Sequence, residues 1–398
     1  MALMRLLVGT GAAILLCVLS LASATTRPAR AIAVKDITRL VDIGGRKIYL
    51  QCRGSGSPTV ILESGYRDRA DPWSLNLFDV AGATMVLPGV AAFTRVCTYD
   101  RPGTATVFDD VLRPARSDPV PVPPTAADVV AELNALLRAA KIPGPYVLVG
   151  HSFGGLFVRL YASVHPARVA GLVLVDALSE GVRARMTGDQ WATYVRLAFI
   201  EAPPALAAYK DLETIDPGPA SAAMAAARPL RRIPAVVLSK GKPFALAPDF
   251  PPALGDALNA AWSAAQNELA SRVHALRHTV AARSAHYIQL QQPELVTNAI
   301  EQVVQAVRHG VTIRCNGGKR SCRAKVRIGG GVTDRKVTID LPATNLRQVG
   351  VRLARGLRGK YSLAAGHFGS GRRTYELTVS ADQSVPAGSY LTVSFRRR

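Results

Sequence analysis

Apolar residues fall along this chain in short continuous runs, separated by longer stretches of helical period. Lys47-Ile48-Tyr49-Leu50-Gln51 and Thr59-Val60-Ile61-Leu62 read as the first two clear strands. Val96-Cys97-Thr98-Tyr99 is a third, ended by Asp100-Arg101-Pro102-Gly103. A proline-rich loop over residues 119–124 leads to Thr125, which can cap a helix over 126–140. Val129, Val130, Leu133, Leu136 and Leu137 recur on one face of that helix. Further apolar runs follow in Tyr146-Val147-Leu148-Val149, Val169-Ala170-Gly171-Leu172-Val173-Leu174-Val175, Ile233-Pro234-Ala235-Val236-Val237-Leu238 and the short Thr279-Val280-Ala281. The last long helix starts near Pro293 and runs through Val307, with Ile300, Val303, Val304 and Val307 on its apolar stripe. Continuous apolar strands alternating with helices predict an α/β fold, a mostly parallel sheet covered on both faces.

Beyond residue 310 the pattern changes. Seven short strand-like runs are separated by Gly and Asp/Asn turns, from Val311-Thr312-Ile313 to Tyr390-Leu391-Thr392-Val393. Their spacing of about 8–12 residues predicts a small all-β, sandwich-like domain over 311–398.

One junction carries chemistry. Gly150-His151-Ser152-Phe153-Gly154-Gly155 joins the strand at 146–149 to Leu156-Phe157-Val158-Arg159-Leu160-Tyr161-Ala162, which reads as a helix. A strand, a G-x-S-x-G turn and a helix in that order is the context of a nucleophile elbow. The turn is tight, and glycine at 150 and 154 avoids a β-carbon colliding with neighbouring strand or helix. Ser152 is then pushed out above the sheet, its backbone at a helix N-terminus.

Composition narrows the setting. The chain has 398 residues, 48% of them hydrophobic, enough for a large α/β domain and a small second one. The formal net charge is +21, a field that favours anionic polymers or membrane surfaces. From Val311 onward there are 18 Lys and Arg against four Asp and Glu, so 14 of those net charges sit in the predicted β-domain. The sequence holds no nucleic-acid recognition motif and no metal-ligand cluster, and no nucleic acid, metal or cofactor is expected. Arg5, the apolar residues 6–21 and Ala22-Ser23-Ala24 fit a signal peptide over 1–24, cleaved after Ala24, and hence export to the envelope or medium. An uncleaved anchor of marginal length is the alternative. Export permits disulfides, and removal of Cys17 leaves an even set: Cys52, Cys97, Cys315 and Cys322. Sequence alone allows three pairings, or four free thiols.

Taken with Leu62-Glu63-Ser64-Gly65-Tyr66, Tyr99-Asp100-Arg101-Pro102-Gly103, Leu172-Val173-Leu174-Val175-Asp176 and Ser284-Ala285-His286-Tyr287, the elbow makes residues from about 38 to 310 resemble a secreted serine hydrolase of the α/β-hydrolase superfamily. The resemblance implies a hydrolase domain over 25–310, a cap inserted at about 177–232, and the chain order nucleophile, acid, histidine. It places the strands bearing Cys52 and Cys97 near each other, implying the pairs Cys52–Cys97 and Cys315–Cys322. Of the seven histidines, only His286 lies in a short loop between the last predicted strand and the final helix, where the fold delivers its general base. His151 sits inside the elbow, and His274 and His278 are expected in a basic helix.

The acid is less determined. Most superfamily members carry it just past the strand that here is 235–238, yet Ser239-Lys240-Gly241-Lys242-Pro243-Phe244 offers no carboxylate before Asp249. Asp176, ending the preceding strand, is the position some members use. Asp176 is therefore the first candidate and Asp249 the alternative. Backbone amides of Phe153 and Tyr66 are the candidates for the oxyanion hole. The cap segment contains Trp191, Tyr194, Leu197, Phe199 and Ile200, apolar side chains that suit an acyl or aromatic ester. The expected activity is carboxylic ester hydrolysis. An amidase or peptidase with the same three residues, and a catalytically silent scaffold that binds a ligand or an anionic surface through 311–398, are the alternatives.

Overall fold

The computed structural model describes residues 36–309, apart from Val122 and residues 247–249, and the backbone of the strands between 311 and 397. The predicted signal segment 1–24 and Asp249 lie outside the described residues. Along the first part run β1 (Ile37–Asp42), β2 (Lys47–Arg53), β3 (Thr59–Glu63), α1 (Val86–Ala91), β4 (Val96–Tyr99), β5 (Ala105–Phe108), β6 (Val111–Pro114) and α2 (Ala126–Ala139). Then come β7 (Tyr146–His151), α3 (Phe153–Val164), β8 (Val169–Val175), α4 (Glu180–Arg183), α5 (Gly188–Val195) and α6 (Pro217–Ala226). The series closes with β9 (Ala235–Lys240), α7 (Pro252–Arg272), β10 (Arg277–Ala281), α8 (Ile288–Gln291) and α9 (Pro293–His309).

Eight strands form one sheet in the order β1-β2-β4-β3-β7-β8-β9-β10. The β1–β2 and β2–β4 pairs are antiparallel, and every pair from β4 to β10 is parallel. β3, β4, β7 and β9 are buried along their whole length, as strands covered on both faces must be. Two apolar clusters do the covering. One packs Leu133, Leu136, Phe157 and Leu160 with Leu148 and Leu174; the other packs Ile300, Val303 and Val304 with Val147, Val173 and Val236. α2 starts where Thr125 and Asp128 exchange side-chain and backbone hydrogen bonds in a capping box.

Cys52 and Cys97 face each other in the β2–β4 register and are joined by a disulfide. Three features depart from the expectation. β1 is mostly exposed, without an apolar run to mark it. β5 and β6 form a hairpin around Asp109 and Asp110, both at positive φ, 49° and 57°. Such a two-residue turn matches the twist of the strands, and Asp adopts it less often than Asn-Gly. The basic helix expected to hold His274 and His278 ends earlier: His274 lies in the turn after α7 and His278 in β10. Ser239 Oγ and His278 Nε2, 2.6 Å apart, share a hydrogen bond across β9 and β10.

Past α9 the backbone forms seven strands, β11 (Val311–Cys315), β12 (Ser321–Ile328), β13 (Asp334–Pro342), β14 (Leu346–Arg352), β15 (Gly359–Gly369), β16 (Arg372–Ala381) and β17 (Ser389–Arg397). They pair as β11-β12-β17-β14 and β13-β16-β15. The antiparallel β11–β12 register sets Cys315 opposite Cys322.

Candidate active site

The elbow is built by close approach. Ser152 has φ 52° and ψ −123°, a conformation L-residues rarely hold. A β-carbon on Gly150 would lie 2.5 Å from the Gly154 carbonyl oxygen, and one on Gly154 2.7 Å from that of Glu63. Only glycine allows α3 to begin so close to β7 and β3. The strained turn is tethered on both sides, by Ser152 N–H to the Val175 carbonyl (3.1 Å) and by Leu178 N–H to the Ser152 carbonyl (2.7 Å).

Ser152 Oγ stands 2.8 Å from His286 Nε2, and His286 Nδ1 stands 2.6 Å from Asp176 Oδ2. Asp176 is fully buried, and its second oxygen accepts the Lys240 N–H at 3.0 Å. The His286 ring is walled by Phe244 and Trp262, with centroids 4.9 and 5.5 Å away. The three side chains come from the ends of β7, β8 and β10, that is, from one edge of the parallel sheet.

The turn after β3 is fixed by a buried ionic network. Arg101 donates to Glu63 Oε1 (2.6 Å), to both Glu213 oxygens (2.7 and 3.0 Å), and to the carbonyls of Ser64 (3.0 Å) and Gly65 (2.6 Å). Tyr99 donates its hydroxyl to Glu63. Burial pushes the Glu63 carboxyl up, while the two glutamates hold Arg101 firmly protonated. In a trans peptide the C=O and N–H point to opposite sides. With the Gly65 carbonyl drawn toward Arg101, the Tyr66 N–H faces the other way. Phe153 N–H is likewise opposite the tethered Ser152 carbonyl. Among the described residues neither amide has a hydrogen-bond acceptor.

The cap joins this turn through Arg67, at φ 63°. Its guanidinium donates to the carbonyls of Phe199 (2.8 Å), Glu201 (2.8 Å) and Glu213 (3.1 Å), and its N–H to Glu213 Oε2 (2.7 Å). Tyr66 O–H also donates to the Phe199 carbonyl. Phe199 packs on Tyr66, Phe153 and Tyr194 with centroids 4.8–5.6 Å apart. Phe199 of the cap thus lies against the residue that follows Ser152.

The structure therefore brings Ser152, His286, Asp176, Phe153 and the Tyr66 turn together. Glu63 and Arg101 lie in motifs legible in the sequence, but their meeting under the turn is not legible there. Glu213, 112 residues from Arg101 in sequence, carried no signal. Neither did Asp68, which meets Tyr287 across 219 residues.

Residues 95–234 match the family described as the alpha/beta hydrolase fold. An uncharacterized protein of Schizosaccharomyces pombe is 33% identical over 149 residues, 33% of this chain and 26% of that protein. The uncharacterized protein YqjL of Bacillus subtilis is 29% identical over 135 residues, 34% of this chain and 46% of its own length. The chain thus spans less than half of these curated relatives. Among solved structures, VinJ is similar at 20% identity and a TM-score of 0.46, covering 69% of this chain and 99% of VinJ. Sheet order, elbow and the match over residues 95–234 agree on the α/β-hydrolase fold.

Proposed function

We propose that this protein is a serine hydrolase that cleaves carboxylic esters through an acyl-enzyme. The observation that carries the reading is the unbroken hydrogen-bonded line from Asp176 through His286 to a serine held at positive φ. In the first step His286 Nε2 takes the Ser152 proton as Oγ attacks the ester carbonyl. Asp176, bonded to Nδ1, holds the ring in the tautomer that leaves Nε2 free to accept, and stabilises the imidazolium. The Phe153 and Tyr66 amides receive the developing oxyanion; loss of one such donor typically lowers the rate about 10²–10³-fold. His286 then returns the proton to the leaving alcohol, and water repeats the sequence to release the acid. The aromatic walls Phe244, Trp262 and Phe199 favour an apolar acyl or aryl substrate over a charged one.

Hydrolysis of a short p-nitrophenyl ester by the native protein, abolished in Ser152→Ala and nearly so in His286→Ala, tests the reading. The two losses should not add, since nucleophile and base act as one unit. Anilide turnover exceeding that of the matching ester would favour the amidase alternative. Retained esterase activity in Ser152→Ala would remove the serine mechanism.

We further propose that the exported protein uses its basic segment 311–398 to hold an anionic cell-wall or membrane surface. The support is the charge count in sequence, 18 cations against four anions. A chain ending at residue 310 should keep esterase activity on soluble substrates and lose most binding to anionic vesicles. Binding by the full chain should weaken with salt, because the screening length is about 8 Å at physiological ionic strength. Equal binding by both chains would clear the segment of this role.

A further inference from the structure

The elbow histidine has no part in the steps above, yet it is among the most enclosed polar groups in the molecule. His151 is 1% exposed, its ring 4.7 Å from that of His286 and 5.0 Å from that of Tyr287. Its Nε2 lies 3.0 Å from the His286 carbonyl oxygen. A carbonyl only accepts, so Nε2 carries the hydrogen and Nδ1 of the neutral ring presents a lone pair. Burial, and then the neighbouring His286, hold the ring neutral by driving its pKa well below the usual histidine range. Nδ1 is buried and has no hydrogen-bond partner among the described residues. It faces Asp68, whose Oδ2 is 3.9 Å away.

Asp68 is tied in from the other side, its Oδ1 accepting the Tyr287 hydroxyl at 3.3 Å. The turn covers both groups: a β-carbon on Gly65 would sit 2.9 Å from Asp68 Oδ2 and 2.9 Å from His151 Nδ1. Asp68 is partly buried, 19% exposed at its side chain, and if ionised it would set a second acceptor against the enclosed His151 Nδ1, an arrangement that disfavours the charged form. A protonated Asp68 supplies the missing donor, and closing the gap to a hydrogen bond needs about 1 Å of movement. Every bond then runs one way: Tyr287 O–H to Asp68, Asp68 O–H to His151, His151 N–H to the His286 carbonyl.

We propose that Asp68 and His151 form a positioning relay, closed when Asp68 holds a proton, that fixes the His286-Tyr287 loop through contacts separate from that of Asp176. The inference rests on His286 acting as the base. Consecutive residues of the base loop are held at two points, His286 by its carbonyl and Tyr287 by its phenol. The charged and titratable groups around Asp68 are Arg101, Glu213, Tyr287 and His151; those around His151 are His286, Tyr287 and Asp68. Burial is the largest influence on Asp68 and raises its pKa to about 7, against the opposing pull of Arg101 and Tyr287. As pH rises through that value Asp68 ionises, the relay opens and the base loop loosens.

The test compares ester hydrolysis by the native full chain, Asp68→Asn and Asp68→Ala between pH 5 and 9. A 15N measurement of the His151 ring accompanies it. Native kcat should decline on the alkaline side with an ionisation near 7. Asp68→Ala should lower kcat on the order of 10- to 100-fold with little change in KM, as misplacement of a reacting group does. Asp68→Asn, whose amide donates at every pH and still accepts from Tyr287, should restore the rate lost in Asp68→Ala and abolish the decline. The ring should read as Nε2–H, with Nδ1 responding near pH 7 in the native chain and not in Asp68→Asn. An alkaline decline that persists in Asp68→Asn, or an Nδ1 resonance blind to Asp68, overturns the relay. Should Asp68→Ala fail to fold, those two readouts decide alone. An inactive native chain with the expected ring signature would count against the hydrolase reading and leave the relay's hydrogen bonds standing.

Discussion

The ends of β8 and β9 lie side by side in the parallel sheet and have taken opposite tasks. β8 ends in Val175 and passes into Asp176, at φ 40°, whose buried carboxylate reaches His286. β9 ends in Lys240, whose N–H satisfies the other Asp176 oxygen while its ammonium turns away to Asn259 Oδ1 (2.6 Å) and over the Phe244 ring (4.2 Å). Asp176 N–H in turn donates to Leu238 O at 2.7 Å, continuing the ladder between the two strands. A buried carboxylate oxygen needs a hydrogen-bond partner, and the neighbouring strand end supplies one to Oδ1 from its backbone. On the proposed reading, the acid sits one strand earlier than the commoner arrangement, where the next strand offers it the Lys240 N–H.

The difference can be broken by exchanging side chains at the two ends. Asp176→Asn should lower kcat by about 10⁴-fold, because an amide mis-sets the histidine tautomer while keeping the shape. Equal activity would move the acid elsewhere, with Asp249 next in line. Lys240→Met should retain most of the rate, since the backbone donor to Asp176 remains; a loss approaching that of Asp176→Asn would show that the ammonium, not the amide, serves the site. Single-turnover and steady-state kinetics on one ester read both.

Carboxyls away from the strand ends should reveal themselves through stability instead. Burial raises Asp68 and Glu132 to about 7, so the native chain binds their protons more tightly than the unfolded chain does. Their contribution is fullest below the ordinary carboxyl range and is lost as pH climbs toward 7. Chemical unfolding should accordingly show stability falling between about pH 4 and 7 from these groups, given model carboxyl pKa values near 4. A flatter slope is expected in Glu132→Gln, and an unchanged slope would remove Glu132 from the account.

Ser152 and His286 were readable because each is fixed by local context: a glycine-framed turn between strand and helix, and a loop between the last strand and helix. The sequence does not choose between Asp176 and Asp249, because which strand end reaches the histidine loop is a matter of adjacency across the sheet. The Glu63-Arg101-Glu213 network and the Asp68–His151 approach join residues far apart in sequence, so no spacing announces them. β1 carries little sequence signal because five of its six residues are at least partly exposed, and the β5–β6 hairpin carries little because Asp109-Asp110 is an uncommon turn pair. The seven strands after α9 fall on the seven short strand-like runs separated by Gly and Asp/Asn turns.

The central claim is that Ser152 is a nucleophile activated by His286. Treatment of the full native chain with a fluorophosphonate, followed by peptide mass spectrometry, addresses it most directly. One stoichiometric adduct on Ser152 is expected, slowed strongly in His286→Ala and absent in Ser152→Ala. A folded native chain that stays unlabelled, or one labelled elsewhere and equally well without His286, would contradict it.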